Sequence, residues 1–434
     1  GLSCAYFLAV EGYSVTVFEK QEKLGGMMTL GIPSFRLEKN VVKAEIDVLR
    51  GLGVEFRTGV EVGKDVTLDE LRKEGYRAFY LAIGAQGGRA LGIAGEDAQG
   101  VVPGVTFLRD VNLGKDVKLT GKTLVIGGGN VAIDVARTAL RVGGENVTMF
   151  CLEGREEMPA LAEEIGETLH EGIAIENGWG PKRILTENGK VTGVEFRKCT
   201  RVFDENHRFD PQYDDNNTQV VEAENVLLAI GQSIVWGGLL EGSKVVLNRN
   251  ATAQGDAFTY QTAEPDIFVG GDAFTGPKFA INAIAAGKQG AISIHRYVQP
   301  GQSLTLGRDR REYHAFDKSN IVVEGFDNTP RQEIGHNPQA ARSFRDDRVT
   351  FTEEQMKKET QRCLGCGAVQ VNEYMCLGCG QCTTKCKFDA IHLVRKYSTV
   401  PDSYEKLPMK MAANAIKRVG KIVATGVKEL GQKD

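Results

Sequence analysis

Six of the nine cysteines in this 434-residue chain lie close together near its C-terminal end. They are Cys363, Cys366, Cys376, Cys379, Cys382 and Cys386. The last four have the spacing C-x2-C-x2-C-x3-C, which is typical of a 4Fe-4S cluster because closely spaced thiolates can wrap a small inorganic core. These residues therefore predict a metal centre that exchanges single electrons.

Two other interpretations of these cysteines remain open. A zinc ribbon would use the first four as two C-x2-C pairs, but it would leave Cys382 and Cys386 without a role. A second cluster would use Cys386 with Cys363 and Cys366 and would need one further ligand, since the fourth cysteine of paired ferredoxin motifs serves the other cluster. Lys387 stands where a proline usually follows, which leaves the loop less constrained without removing a ligand. We expect one 4Fe-4S cluster and leave a second open.

A complete nucleotide-binding motif occupies the middle of the chain. Residues 122–126 read as a buried strand, 127–132 as a G-x-G-x-x-A turn and 133–142 as a helix. An ordinary glycine-rich turn is the alternative, but the strand–turn–helix context favours binding of a pyrophosphate at the helix N-terminus. The candidate ligands are Gly127, Gly129, Asn130, Val131, Ala132 and, where the fold closes, Gly231.

The chain begins inside what looks like a second copy of this motif. Gly1 would be its last glycine, residues 2–9 its helix, and residues 14–18 a strand that ends at Glu19. An acid at this position accepts hydrogen bonds from the adenosine ribose. The preceding strand and glycines are missing, so we expect a piece of a longer polypeptide. A plain helix–strand pair is the alternative for this half-motif alone.

Three further segments carry a family resemblance: Leu24-Gly25-Gly26, the residues 80–85 and the residues 265–272. With them, residues 1 to about 298 resemble flavoproteins with two dinucleotide-binding domains, most closely the small-subunit family of glutamate synthase. The resemblance implies FAD in the first fold, contacted by Asp272, and a helix over 281–295 whose N-terminus points at the flavin. The FAD-site candidates are Gly1, Glu19, Gly25, Gly26, Arg36, Ala82, Gly84, Gly271, Asp272 and Ala280.

The resemblance also assigns a nicotinamide cofactor to the second fold. Relatives that use NADPH carry an arginine pair where this chain has Leu152-Glu153. A carboxylate accepts from a free ribose 2′-hydroxyl and repels a 2′-phosphate, so Glu153 favours NAD(H). Arg155 keeps NADP(H) open as the alternative. Ala132, the last residue of the G-x-G-x-x-A turn, also weakly favours NADP(H).

The expected fold class is α/β, with an NAD domain inserted in an FAD domain, both Rossmann-like, plus a small ferredoxin-like iron–sulfur segment. The predicted parts are 1–107 (FAD, first part), 108–234 (NAD(P)), 235–300 (FAD, second part), 301–362 (connector), 363–397 (4Fe-4S) and 398–434 (basic helical tail). A pair of strands should form each crossing, near Phe107 and Ile234. Residues 204–218 read as a polar hairpin loop that exposes His207.

Composition and charge bear on whether the protein binds nucleic acid or spans a membrane. A formal charge of −4 and a pI near 6.0 indicate no nucleic-acid surface, and no apolar run of about 18 residues predicts a transmembrane helix. We expect a cytoplasmic protein. Cys4, Cys151 and Cys199 read as core residues. The basic tail predicts an amphipathic helix that is solvated, docks a partner or lies on a membrane surface.

Together these features predict an FAD-dependent NAD(P)H:acceptor oxidoreductase that passes electrons from NADH through FAD and the cluster to a partner subunit or ferredoxin. No catalytic side-chain acid or base is needed, and we expect a hetero-oligomeric complex. One alternative is an electron-bifurcating or ferredoxin:NAD(P) oxidoreductase subunit, and another is a non-catalytic scaffold or zinc-binding subunit. No C-x4-C pair follows Gly26, so a dithiol substrate is not expected, and nothing resembles a glutamate-forming domain.

Overall fold

The computed structural model describes residues 1–206, 208–308, 317, 329–340, 342–363, 371–372, 375–386, 390–394 and 404–430. The chain divides into two compact units. Unit one comprises Gly1–Thr305 and Asn328–Arg362, and unit two comprises Leu306–Asp327 and Cys363–Asp434. No helix in the described ranges is long and apolar enough to span a membrane. His207 lies outside the described residues.

The first part of unit one forms half of a nucleotide-binding fold. Its elements are α1 (Leu2–Val10), β1 (Thr16–Glu19), α2 (Met27–Leu30), α3 (Lys39–Gly51), β2 (Glu55–Thr58), α4 (Leu68–Lys73), β3 (Phe79–Leu81) and β4 (Gly87–Gly88). Strands β1 and β2 pair in parallel. Helix α3 buries Val42, Ile46 and Leu49, which share one face of a helix. The predicted order of helix, strand and acid is confirmed, with Glu19 as the last residue of β1.

The inserted domain is built on a five-stranded parallel sheet. Its elements are β5 (Val101–Pro103), α5 (Gly104–Leu113), β6 (Lys122–Ile126), α6 (Asn130–Arg141), β7 (Glu145–Cys151), α7 (Ala162–His170), β8 (Ala174–Asn177) and, later in the chain, β12 (Asn225–Leu228). The strand order is β5-β12-β6-β7-β8. Strand β6 is buried on both faces after the exposed Lys122, as a central parallel strand requires, and this explains its apolar residues Leu124, Val125 and Ile126. Because β5 already belongs to this sheet, the chain enters the domain before Phe107.

A three-stranded antiparallel sheet extends the inserted domain. It consists of β9 (Trp179–Glu187), β10 (Lys190–Phe203) and β11 (Phe209–Glu222) in the order β11-β10-β9. The prediction of a polar loop over 204–218 was wrong, because β11 already begins at Phe209. Cross-strand ion pairs explain the difference: Arg197 reaches Asp215 at 3.0 Å and Arg201 reaches Asp210 at 2.6 Å. Charged residues thus pair across an exposed hairpin rather than mark a loop.

The chain returns to the first fold through a short strand pair. Strand β13 (Gln232–Ser233) pairs antiparallel with β4, which confirms a two-stranded crossing at this end of the insertion. Strand β14 (Ile267–Val269) then pairs in parallel with β3. Helices α8 (Asp272–Thr275) and α9 (Ala280–Val298) follow, and α9 confirms the helix predicted over 281–295.

The remaining elements are short except for the last helix. Unit one ends with β15 (Gly335–His336), β16 (Arg348–Val349) and α10 (Glu353–Gln361), and α10 begins at a capping box formed by Thr352 and Gln355. Unit two contains α11 (Gln381–Lys385) and α12 (Leu407–Leu430). Helix α12 confirms a helical tail; what its exposed Ile416 and Val419 contact stays a prediction.

An arginine cluster joins the two folds of unit one. The buried ring of Phe35, from the first fold, lies under the guanidinium of Arg141 at 3.9 Å and that of Arg137 at 4.8 Å, both from α6. Glu171 pairs with Arg137 at 2.7 Å and with Arg141 at 2.6 Å. Burial opposes ionisation of Glu171, but the hydrogen bonds from these arginines lower its pKa overall. Glu171 and Glu167, which also pairs with Arg137, together balance the charge of the two buried guanidinium groups.

Replacing Glu171 by alanine should strongly destabilise unit one. The Arg137 and Arg141 side chains are only 5% and 3% exposed, so the variant leaves buried positive charge without its main partner. Breaking such a pair costs about 3–5 kcal/mol, which a lower urea midpoint would report. The matched control is Glu353→Ala, whose pair with Lys357 is exposed and should contribute less than about 1 kcal/mol. Equal shifts in the two variants would contradict this account.

Candidate functional site

A cleft of 2270 Å³ in unit one receives residues from both nucleotide-binding folds. Of the residues predicted for the dinucleotide sites, all but Ala132 and Arg155 line it. They are Gly1, Glu19, Gly25, Gly26, Arg36, Ala82, Gly84, Gly127, Gly129, Asn130, Val131, Glu153, Gly231, Gly271, Asp272 and Ala280. Positions that are far apart in the sequence thus meet around one space large enough for extended ligands.

The glycine turn of the inserted domain connects β6 to α6. At Gly127 φ is +143°, and a Cβ there would lie 2.3 Å from the carbonyl oxygen of Ala229, so no larger residue fits. Helix α6 begins after Gly129 without a side-chain cap, which leaves its first N–H groups available to an anion. Ala132 is fully buried beneath the turn, 3.3 Å from the same Cβ position, and so allows close packing of helix on strand.

Glu153 lies directly over this turn. A Cβ on Gly128 would come within 2.7 Å of the Glu153 Oε2 atom. Burial raises the pKa of Glu153, and the nearby Glu157 adds to the effect. Asn177 Nδ2 and the Gly178 N–H both donate to the Glu153 carbonyl oxygen, at 3.0 Å and 3.2 Å, and hold the loop. The carboxylate therefore stands where an adenosine ribose would lie beside the phosphate-binding turn.

The first fold presents a similar set of groups. Helix α1 begins after Gly1 without a side-chain cap. Glu19 Oε1 accepts a hydrogen bond from the Gln21 N–H at 2.8 Å, and burial raises the pKa of Glu19. Gly25 and Gly26 both have positive φ, +110° and +54°, in the turn that precedes α2. This end of the cleft can hold an adenosine ribose and a pyrophosphate by the same chemistry as the second fold.

The returning segment of the first fold completes the cleft. Asp272 Oδ1 accepts a hydrogen bond from the Lys278 N–H at 3.1 Å, and burial raises the pKa of Asp272. Helix α9 begins at Ala280, and its N-cap residue Phe279 offers no side-chain hydrogen bond. Uncapped N–H groups at this point favour a ligand that carries negative charge.

Arg36 lines the cleft, but its guanidinium is engaged by the inserted domain. Nη1 donates to Asp134 at 2.7 Å, and Nη2 contacts Glu164. Burial raises the pKa of Asp134 to about 6, and the positive charge of Arg36 opposes this rise. Arg36 thus bridges the two folds in this structure, while its assignment as a cofactor ligand stays a prediction.

Six residues that sequence reasoning missed line the same cleft. They are Trp179, Pro181, Arg197, Phe209, Pro211 and Tyr213, all from the antiparallel sheet of β9, β10 and β11. The sequence signal is the set of aromatic and basic residues along these strands, which local patterning identifies only as strand and loop. Their position in the cleft wall depends on a fold that the local sequence does not reveal.

The cysteines of unit two lie on its surface. Cys363, Cys376, Cys379 and Cys382 are exposed and Cys386 is partly exposed, while Cys366 lies outside the described residues. Within the described part of the chain, no three metal-ligating groups converge on one point. The loop nevertheless suits a cluster: Gly378 and Gly380 have positive φ, and the Ala390 N–H donates to Cys386 Sγ at 3.3 Å, as cluster sulfurs require.

The other three cysteines are buried in unit one. Burial raises the pKa of Cys4 and that of Cys151 to about 12. Thiols of this kind are inert at neutral pH. The prediction that Cys4, Cys151 and Cys199 are core residues is confirmed.

Comparison with known families identifies both parts of the chain. The profile of the pyridine nucleotide-disulphide oxidoreductases matches residues 1–287. The profile of the 4Fe-4S binding domain matches residues 369–392, which include the last four cysteines of the motif but neither Cys363 nor Cys366.

Individual relatives agree with these matches. The chain is 34% identical over 381 residues to the NADP(+)-dependent formate dehydrogenase subunit beta of Moorella thermoacetica, covering 84% of this chain and 53% of that one. It is 32% identical over 318 residues to the glutamate synthase [NADPH] small chain of Escherichia coli, covering 69% and 66%. The fold resembles Mycobacterium tuberculosis FprA in complex with NADPH, with a TM-score of 0.59 at 18% identity over 68% of this chain and 82% of that one.

Proposed function

Because the chain belongs to the pyridine nucleotide-disulphide oxidoreductase family, we propose that unit one oxidises a reduced nicotinamide dinucleotide and that the electrons leave through a 4Fe-4S cluster of unit two. FAD and a nicotinamide dinucleotide are the cofactors of this family, and the 4Fe-4S domain binds the cluster. The observation that carries the proposal is the single cleft in which both glycine turns and both ribose-binding acids, Glu19 and Glu153, meet. Because the chain spans about half the length of its formate dehydrogenase relative, the activity of the whole protein is itself part of the proposal.

The residues of the cleft divide between two ligands. We assign FAD to Gly1, Glu19, Gly25, Gly26, Ala82, Gly84, Gly271, Asp272 and Ala280, and the nicotinamide dinucleotide to Gly127, Gly129, Asn130, Val131, Glu153 and Gly231. FAD, when bound, accepts a hydride and releases electrons singly. The side chains do not transfer protons in this scheme; they bind the two dinucleotides and orient one against the other.

We further propose NAD(H) as the preferred nucleotide. Glu153, half-buried beside the glycine turn, suits two free ribose hydroxyls and opposes a 2′-phosphate. The names of the relatives above carry NADP(+) or NADPH, and FprA was solved with NADPH, so NADP(H) remains the alternative. Arg155 is exposed and does not line the cleft, so its positive charge offsets little of the repulsion between Glu153 and a 2′-phosphate.

The cluster site is assigned to Cys376, Cys379, Cys382 and Cys386, the cysteines inside the matched domain. The alternative is a second cluster held by Cys386 with Cys363 and Cys366 and completed by one further ligand. The acceptor is proposed to be another redox subunit or a ferredoxin, within a hetero-oligomeric complex in the cytoplasm, because the described relatives are themselves subunits. The alternative functions, electron transfer from ferredoxin to NAD(P) and electron bifurcation, would use the same two dinucleotide sites and the same cluster.

The test is an anaerobic titration of the purified protein with NADH and, separately, with NADPH. We expect NADH to bleach flavin absorbance near 450 nm and to produce the EPR signal of a reduced cluster. Bleaching by NADPH alone would reverse the nucleotide assignment. Absence of both bleaching and iron would contradict the proposed function and favour a scaffold role.

A further inference from the structure

The long hairpin of β10 and β11 reaches the cleft beside Glu153. A Cβ on Gly180 would lie 2.4 Å from Tyr213 Cε1 and 2.8 Å from Leu152 Cδ2. The Tyr213 ring therefore rests on the Gly180 backbone, next to the residue that precedes Glu153. Tyr213 and Leu152 both line the cleft.

Arg197 stacks on this ring. Its guanidinium carbon lies 3.8 Å from the centre of the Tyr213 ring, and Nη1 pairs with Asp215 at 3.0 Å. The Nε atom is buried and has no hydrogen-bond partner among the described residues. A buried N–H without a partner costs free energy unless a ligand or water supplies an acceptor, so Arg197 carries unused hydrogen-bonding capacity at the cleft wall.

Backbone hydrogen bonds tie the hairpin to the Glu153 loop. The Cys199 N–H donates to the Gly178 carbonyl at 2.9 Å, and the Gly178 N–H donates to the Glu153 carbonyl at 3.2 Å. Lys198 Nζ lies 4.8 Å from the centre of the Trp179 ring, which steadies the neighbouring strand. The stacked pair of Arg197 and Tyr213 is thereby held in a defined position relative to the Glu153 carboxylate.

We propose that the Arg197–Tyr213 pair is the platform on which the adenine of the nicotinamide dinucleotide stacks. The inference rests on the proposed function, in which Glu153 binds the adenosine ribose. Adenine is bonded to the ribose carbon next to the one that carries the 2′-hydroxyl, so the base must lie close to Glu153. A flat guanidinium on an aromatic ring matches the face of a purine, and the Arg197 Nε–H can donate to a nucleotide acceptor.

The test measures binding of ADP-ribose, which contains the adenosine end but no nicotinamide, to the FAD-loaded protein by calorimetry. Tyr213→Ala should weaken binding about ten-fold, because it removes the ring that supports Arg197 in the platform, and the loss of base stacking is worth about 1–3 kcal/mol. Tyr213→Phe should bind as the wild type does. The control is Val220→Ala, an exposed position on the same strand β11 that does not line the cleft. Unchanged flavin content and thermal midpoint show that each variant folds.

Two further measurements separate this inference from the proposed function. Reduced nicotinamide mononucleotide lacks adenosine, so it should bleach the flavin of the wild type and of Tyr213→Ala at equal rates. If Tyr213→Ala binds ADP-ribose as tightly as the wild type does, the platform is overturned. The proposed oxidation of NADH is not affected by that result. If Arg197→Ala weakens only 2′,5′-ADP, Arg197 contacts a 2′-phosphate and the platform is again overturned. Failure of NADH to bleach the wild type would instead overturn the proposed function.

Discussion

Replacing Cys379 by serine is expected to remove the cluster and leave the nucleotide chemistry of unit one intact. Cys379 is the second thiolate of the matched 4Fe-4S domain, and a serine oxygen is a harder ligand that binds iron–sulfur cores poorly. Bound iron should fall from about four atoms per chain to near zero, with loss of the EPR signal. Bleaching of the flavin by NADH should persist, because the cleft lies wholly in unit one.

The control for this experiment is Cys363→Ser, since Cys363 lies outside the matched domain. One cluster per chain predicts that this variant keeps its iron. A second cluster that includes Cys363 predicts a loss of about half of a larger iron content. Retention of all iron in Cys379→Ser would contradict the ligand assignment, and zinc in place of iron would favour the zinc interpretation. Loss of flavin bleaching together with the iron would show that the two units do not act separately.

Replacing Glu153 by alanine should have the largest effect on nucleotide choice. A hydrogen bond to a charged group is worth about 1.5–3 kcal/mol, so loss of the carboxylate should raise the KM for NADH about ten- to a hundred-fold. The same change removes a negative charge that faces a 2′-phosphate, so the KM for NADPH should fall. The measurement is the ratio of kcat/KM for the two nucleotides with a small-molecule electron acceptor.

Arg155→Ala is the matched control for this second variant. Arg155 is two residues from Glu153 but is exposed outside the cleft, so its loss should change the nucleotide ratio less than about three-fold. If Arg155→Ala lowers kcat/KM for NADPH strongly relative to the wild type, Arg155 binds the 2′-phosphate. An unchanged ratio in Glu153→Ala would contradict the role of Glu153.

The motifs that sequence reasoning identified are those whose chemistry is local. The turn at 127–132 needs backbone without side chains, and Gly127 occupies a conformation and a close approach that only glycine allows. The cysteine motif is also local: its ligands are neighbours in one loop, so their spacing indicates the iron–sulfur cluster. Helix α6 followed from the strand–turn–helix pattern and helix α9 from the family resemblance, and both lie where they were expected.

The errors and omissions came from partners that are distant in sequence. The residues 204–218 look like a loop because their charges suggest solvent, yet Asp210 and Asp215 pair with arginines across a hairpin. Arg36 is a cofactor-site candidate in the sequence, and only the structure shows that Asp134 and Glu164, 98 and 128 positions away, hold its guanidinium. No local pattern encodes either pairing.

The sequence by itself determined the inserted dinucleotide fold, the iron–sulfur motif and the acid at Glu153, since each depends on spacing within one short segment, and the first fold followed from the family resemblance of several segments. Only the tertiary structure decided that Arg36 bridges the two folds and that Arg197 stacks on Tyr213 at the cleft wall, next to Leu152. Those positions follow from how strands pair and domains pack, because an ion pair or a stacked ring forms between groups that are close in space whatever their separation along the chain.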